Sequence, residues 1–234
     1  METPYHYIKT RKEDHIFHLI LARPAKRNAF TPATINEIAH AIEHINQDDE
    51  ITVVVFSAEG PVFCAGMDLK TFRDESLDVR NEAIPYQEIS LGEVFTKLNK
   101  PSIAVVEGDV IAGGFLYILG CTYVLAKSQV RFRLPELDLG LFPFQVMASL
   151  LRVVPEKKVL QLCLNTDYFS AEEALSLGIV DGYLNEATLQ NLLDKFAKAN
   201  VSVLKAGFES IRQLKDMPTE KQYSYLKQVL DKLK

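Results

Sequence analysis

A chain of 234 residues, 47% hydrophobic and 24% charged, has the material for one domain with a sizeable core, together with a helical appendage. Its formal net charge of −5 provides no broad basic footprint for nucleic acid, although local basic sites for a phosphate ligand stay open. No apolar run approaches the ~18 residues of a membrane span, and METPYHYIKTRKEDH lacks the apolar stretch of a signal peptide, so a cytoplasmic protein outside the membrane is the expectation.

Taken in chain order, HIFHLIL (His15–Leu21) is a short strand candidate. Thr31 then offers an N-cap and Pro32 a first helical residue, where its missing N–H costs nothing. Ile35, Ile38, Ile42 and Ile45 repeat at helical spacing and form one apolar face. After the acidic stop QDDE, ITVVVF is a β-branched run of buried-strand length. Phe72–Ser90 is polar, charged and poorly patterned, as expected of a loop with a short helix bordering a pocket. SIAVVEG predicts another strand, Gly113–Cys121 an apolar helix and TYVLA a further strand. RFRLPE leads toward a helix near Phe144–Arg152. SAEEALSLG carries a capping box (Ser170 with Glu173) and ends at Gly178, which feeds a strand over IVDGYL. From about Asn185 the pattern is only helical. The expected organisation is an α/β core over residues 1–184 and a helical C-terminal region over 185–234.

Two clusters bear on chemistry. Pro61–Lys70 (PVFCAGMDLK) follows a buried strand, and its small residues and glycine let the backbone turn sharply and approach a ligand. Glu107–Gly114 (EGDVIAGG) lies between a strand and an apolar helix, where free N–H groups and the positive dipole end suit a developing negative oxygen. Taken singly, either is equally well read as tight helix–strand packing.

Together and in this order they resemble the crotonase (enoyl-CoA hydratase/isomerase) superfamily. The resemblance runs from about Tyr7 to Leu184, through LARPAKRNAF, FCAGMDLK, KPSIAVVEGDVIAGG, RFRLPELDLGLFP and FSAEEALSLGIVD. It implies a crotonase fold of stacked β-β-α turns, and an acyl-CoA thioester whose carbonyl oxygen is held by two backbone N–H groups as it becomes an enolate. The donors carried across are Met67, after Gly66, and Gly113, the second residue of the family's three-glycine run. Ala112 stands where that run begins, a departure that leaves the donor itself in place. Fixed dipoles of this kind are typically worth about 3–4 kcal/mol each.

Glu136 matches the family's acid/base glutamate, and a carboxylate in an apolar pocket has its pKa raised toward proton-transfer work. Hydratases of the family carry a second glutamate three residues after the oxyanion glycine. Here that residue is Leu116, which resembles the Δ3,Δ2-enoyl-CoA isomerases with their single carboxylate. A hydratase with Asp138 or a polar group of the pocket orienting the water, and a non-catalytic acyl-CoA binder or partner subunit that keeps the fold without the chemistry, are the alternatives. Asp138 would face the side of Glu136 if that segment were extended, and Phe144 supplies no aspartate of the dienoyl-CoA isomerase kind. The resemblance further implies a CoA phosphate site at Arg23, Lys26 and Arg27 with Lys70 nearby, and a substrate-binding wall that includes Ala65, Asp68, Gly114 and Leu116. It implies no cofactor, the CoA thioester being substrate, and trimers or hexamers built from two trimers. Typical members continue with a further helix, whereas this chain stops at Asp231-Lys232-Leu233-Lys234, so contacts there are expected to differ.

Other signals carry less. His40 and His44 sit four apart, as zinc ligands do, but lie opposite the isoleucine face and read as a solvent-facing pair with no metal. Cys64, Cys121 and Cys163 are widely spaced and read as small hydrophobes of a reducing compartment. Tyr86, Tyr117 and Gln145 are candidates for the pocket lining.

Overall fold

The computed structural model describes residues 5–234. In chain order the elements are β1 (Ile8–Glu13), β2 (Ile16–Leu21), α1 (Pro32–Gln47), β3 (Val53–Ala58), β4 (Val62–Cys64), α2 (Leu69–Arg73), α3 (Leu91–Thr96), β5 (Ser102–Val106), β6 (Asp109–Ile111), α4 (Phe115–Gly120), β7 (Tyr123–Ala126) and β8 (Arg131–Arg133). There follow α5 (Phe144–Leu150), α6 (Glu156–Leu164), β9 (Phe169–Ser170), α7 (Ala171–Ser176), β10 (Gly182–Tyr183), α8 (Glu186–Phe196), α9 (Val201–Leu214) and α10 (Thr219–Lys232).

Among these residues a six-stranded sheet runs β1-β2-β3-β5-β7-β10 and a four-stranded sheet runs β4-β6-β8-β9. The pairs β3/β4, β5/β6 and β7/β8 each give one strand to either sheet, so successive turns of chain stack as a spiral. This is the expected run of β-β-α turns. Parallel pairing keeps the turns in step, with Val54 opposite Ser102 and Val110 opposite Phe132. Side chains alternate across β3. Val54 and Phe56 join the core between the sheets, whereas Val53 and Val55 pack toward Leu192 and Leu193 of α8. A strand covered on both faces explains the unbroken apolar run.

Thr31 caps α1 as expected, with Thr34 as its reciprocal partner at 3.2 Å in both directions. The isoleucine stripe is buried, and so are Asn36 and Glu37. Glu37 accepts the His6 and Tyr7 N–H groups at 2.6 and 2.8 Å, and Asn36 is bonded to the Gln87 backbone. His40 is half-buried and bonded to Tyr5, while His44 is exposed. No trio of His, Cys, Asp or Glu able to hold a metal occurs among the described residues. None of the described helices is long and apolar enough to cross a membrane.

Several expectations are corrected. β1, β4, β6, β8 and β9 were not predicted, because IKTRKE is largely polar and the other four are only two or three residues long. The IVDGYL strand shrinks to Gly182–Tyr183, and α5 stops at Leu150. The helix expected from Gly113 begins with a 3-10 turn over Ala112–Gly114 and becomes α-helical at Phe115. Ser170 caps α7 by accepting the Glu173 N–H, but the reciprocal half of the box is absent.

Candidate active site

β4 and β6 are neighbours, with Cys64 opposite Val110, so the loops that leave them emerge side by side. Gly66, on the first loop, has φ +85°. A Cβ built on it would stand 3.0 Å from the Gly113 nitrogen on the second. Flanking bonds hold the Gly66–Met67 peptide in place: Phe30 N–H donates to the Gly66 carbonyl at 2.9 Å and Asp68 N–H to the Phe30 carbonyl at 2.8 Å. From behind, Gly66 N–H meets Cys64 Sγ at 3.4 Å, and that thiol donates to the Asn28 carbonyl at 3.2 Å. Burial raises the Cys64 pKa to about 12, so the sulfur keeps the proton it donates. The Met67 N–H itself has no acceptor among the described residues. Gly113 lies in the opening 3-10 turn, whose first N–H groups have no intrahelical acceptor. Ala112 has φ +51°, a left-handed conformation that costs a residue with a Cβ about 1–2 kcal/mol, so this departure carries strain.

Met67 and Gly113 line a cavity of about 1300 Å³ together with Leu116, Glu136, Phe142 and Phe144. Glu136 opens a 3-10 turn over Glu136–Leu139, and its Oε2 is buried without a hydrogen-bond partner. Burial raises its pKa, opposed in part by its own backbone N–H. Leu116 on α4 is 3% exposed and presents no carboxylate to the cavity. Two free amides and one carboxylate of raised pKa can polarise a carbonyl and move a proton at the neighbouring carbon.

Of the predicted basic residues, Lys26, Arg27 and Lys70 line this cavity and are exposed. Ala65 and Asp68 line it too. Arg23 does not: its Nη1 donates to Asp68 Oδ2 and to the Ala29 carbonyl, both at 2.8 Å. Burial pushes the Asp68 pKa up, but the Arg23 bond and the N–H groups of α2 outweigh it, so the carboxyl titrates below its ordinary value. Gly114 also lies off the cavity wall. A Cβ there would stand 2.7 Å from the Cys64 carbonyl, so its smallness serves the packing of α4 on β4. Asp138 is not on the wall either; it pairs with Arg133 at 2.8 Å. Tyr86 borders a separate hollow beside α1 under Arg80, and Tyr117 is core. Gln145 does line the cavity.

Arg133 and Tyr168 belong to the wall and were not anticipated. The alternation in RFR carries a signal for the first: Phe132 is wholly buried, so both arginines leave the sheet on its other face. Arg131 and Arg133 lie over the Tyr168 ring at 4.4 and 5.3 Å.

The family model described as enoyl-CoA hydratase/isomerase matches residues 11–232. The human enoyl-CoA hydratase domain-containing protein 3, mitochondrial, is 31% identical over 195 residues, which cover 82% of this chain and 64% of that protein. The chain spans 63–65% of the length of the rat, mouse and human forms. Hydroxycinnamoyl-CoA hydratase-lyase of Pseudomonas fluorescens is 28% identical over 241 residues, 96% of this chain and 84% of that one. The crystal structure of the human protein superposes with a TM-score of 0.84 at 26% identity, covering 97% of this chain and 91% of the other. An enoyl-CoA hydratase structure from Mycobacterium tuberculosis gives 0.80, also at 26%, over 96% and 88%. With its spiral of β-β-α turns and this match over nearly its whole length, the chain belongs to the enoyl-CoA hydratase/isomerase family of the crotonase superfamily.

Proposed function

We propose that the protein is a Δ3,Δ2-enoyl-CoA isomerase. The observation that carries this reading is one carboxylate with a buried, unpartnered oxygen, Glu136, in a cavity that holds two free amides and has Leu116 in place of a second acid; the other carboxylate on the wall, Asp68, is tied up by Arg23. The thioester oxygen accepts from the Met67 and Gly113 N–H groups. Glu136 takes a proton from the α-carbon, the electron pair moves into the dienolate, and the same carboxyl returns the proton to the γ-carbon. The double bond thereby shifts from position 3 to position 2, with no net gain of atoms and no call on a cofactor. Lys26, Arg27 and Lys70 provide cations for the CoA phosphates.

A hydratase is the second reading, favoured by the relatives' names, among them 2,3-dehydroadipyl-CoA hydratase of Escherichia coli at 29% identity. The pairing of Asp138 with Arg133 weighs against Asp138 as its water-holding group. Assembly as a trimer or hexamer belongs to the same proposal. It is supported by the exposed apolar residues Phe72, Leu139, Leu141 and Phe144 on the cavity wall, and light scattering tests it.

The deciding experiment follows but-3-enoyl-CoA to the conjugated product, and α-proton exchange in D2O. Isomerisation by the wild type, with exchange abolished in Glu136→Gln and thioester binding retained, supports the reading. Rapid hydration of crotonyl-CoA with little isomerisation overturns it in favour of the hydratase. Affinity without exchange at any chain length leaves a non-catalytic binder.

A further inference from the structure

The turn that carries Glu136 contains no buried residue. Leu137 and Leu139 are exposed, and the Glu136 carboxylate has an oxygen without a partner. Neither apolar packing within the turn nor a bond to that oxygen fixes where the base stands. A side-chain tie from outside the turn comes from Arg133, the last residue of β8, whose register partner Ile111 directly precedes the Ala112–Gly114 turn. Its Nε donates to the Thr166 carbonyl at 2.6 Å, and its Nη2 donates to Asp138 Oδ2 at 2.8 Å. One guanidinium thus joins the strand beside the second amide, the segment before β9 and the far side of the turn. Within the turn, Leu141 N–H donates to the Glu136 carbonyl at 2.9 Å, and Gly140 closes it at φ +69°.

We infer that Arg133 and Asp138 form a clamp that sets the position of Glu136 relative to the two amides, both acting as positioning residues. The inference rests on the reading of Glu136 as the acid/base. Asp138 is the cleaner probe, because its side chain is about half exposed and its loss leaves no buried hole.

In Asp138→Ala, the rate of α-proton exchange should fall roughly 10–100-fold, the scale set by misplacing a reacting group by about 1 Å. The dissociation constant of a saturated acyl-CoA should stay unchanged. So should the red shift of a dimethylaminocinnamoyl-CoA chromophore, which reports carbonyl polarisation by the amides. Asp138→Asn, which keeps an oxygen acceptor for Arg133, should recover most of the rate. The Arg133→Leu/Asp138→Ala double variant should be no slower than the slower single one, since both remove the same contact.

Exchange at the wild-type rate in Asp138→Ala overturns the clamp. A loss of hydration with exchange intact also overturns it and makes Asp138 a water-binding group. A defect confined in Arg133→Leu to acyl chains with a terminal carboxylate overturns it too and makes Arg133 a ligand contact. If Glu136→Gln itself retains exchange, the base assignment fails, whatever Asp138→Ala does.

Discussion

Replacing Gly66 with alanine strikes both proposed donors at once. The new Cβ would stand 2.8 Å from Cβ of Ala112, 3.0 Å from the Gly113 nitrogen and 3.3 Å from the Ile111 carbonyl oxygen. Unstrained carbon contacts fall near about 3.5–4.0 Å, so the loops after β4 and β6 must part by roughly 0.5–1 Å. The φ of +85° adds a backbone penalty of about 1–2 kcal/mol for any residue with a Cβ. An oxyanion donor works at about 2.7–3.1 Å, so a separation of this size removes one N–H from reach. One lost donor is worth about 3–4 kcal/mol, a fall of roughly 10²–10³-fold in the rate of α-proton exchange. The assay is deuterium incorporation into a saturated acyl-CoA, followed by mass spectrometry, with circular dichroism as the control for folding. Thioester affinity should change far less than the rate, because the donors act on charge that develops only in the enolate. Exchange at the wild-type rate in a folded Gly66→Ala protein would refute the assignment of these amides.

Ala112→Gly should relieve the strain at φ +51° and leave exchange unaltered. Set against the greater chain entropy of glycine, the net gain is about 0.5–1 kcal/mol, and a lowered melting temperature would contradict it. Because burial raises the Glu136 pKa, the native protein holds that proton more tightly than the unfolded chain does. Its ionisation therefore opposes folding, and stability should fall as pH climbs from the ordinary glutamate range through the raised value. Glu136→Gln should lack that slope and melt higher at neutral pH, whereas exchange by the wild type should rise across the same window; parallel stability profiles for the two proteins would exclude this. Leu116→Glu places a carboxylate on a 3%-exposed site of the cavity wall. It should destabilise the fold by about 2–4 kcal/mol while conferring hydration of crotonyl-CoA, and a folded variant with no gain in hydration would count against Leu116 as the deciding residue.

Legibility in the sequence followed the length of the signal. Thr31 and Pro32 announced α1, and the β-branched run at residues 51–56 announced β3, because several residues agreed on one period or one cap. β4 and β6 are three residues each, too short for any period, yet they place the two amides side by side. The partner of Arg23 is not legible, because a basic residue in a polar run declares its charge and not its partner, and Asp68 lies 45 positions away. An extended chain would turn Asp138 to the side of Glu136, and the sequence alone does not decide whether the segment is extended. The segment is a 3-10 turn of three residues per turn, which carries residue i+2 round to another side and into reach of Arg133. Glu136 itself, an ordinary glutamate after a proline, was legible only through the resemblance.

The two halves of the proposed chemistry are held by different physics. The amides of Met67 and Gly113 are backbone groups, fixed by the β4–β6 pairing and by glycines that admit no Cβ, so their placement depends little on neighbouring side chains. The base is a side chain on an exposed turn, tied by one guanidinium to the sheet. A change of reaction on this scaffold therefore needs no change in the spiral or the amides. The sites at which to seek a redirected enolate are then the 136–139 turn, Arg133 and Leu116 on the same cavity wall, where a new side chain typically costs the fold about a few kcal/mol.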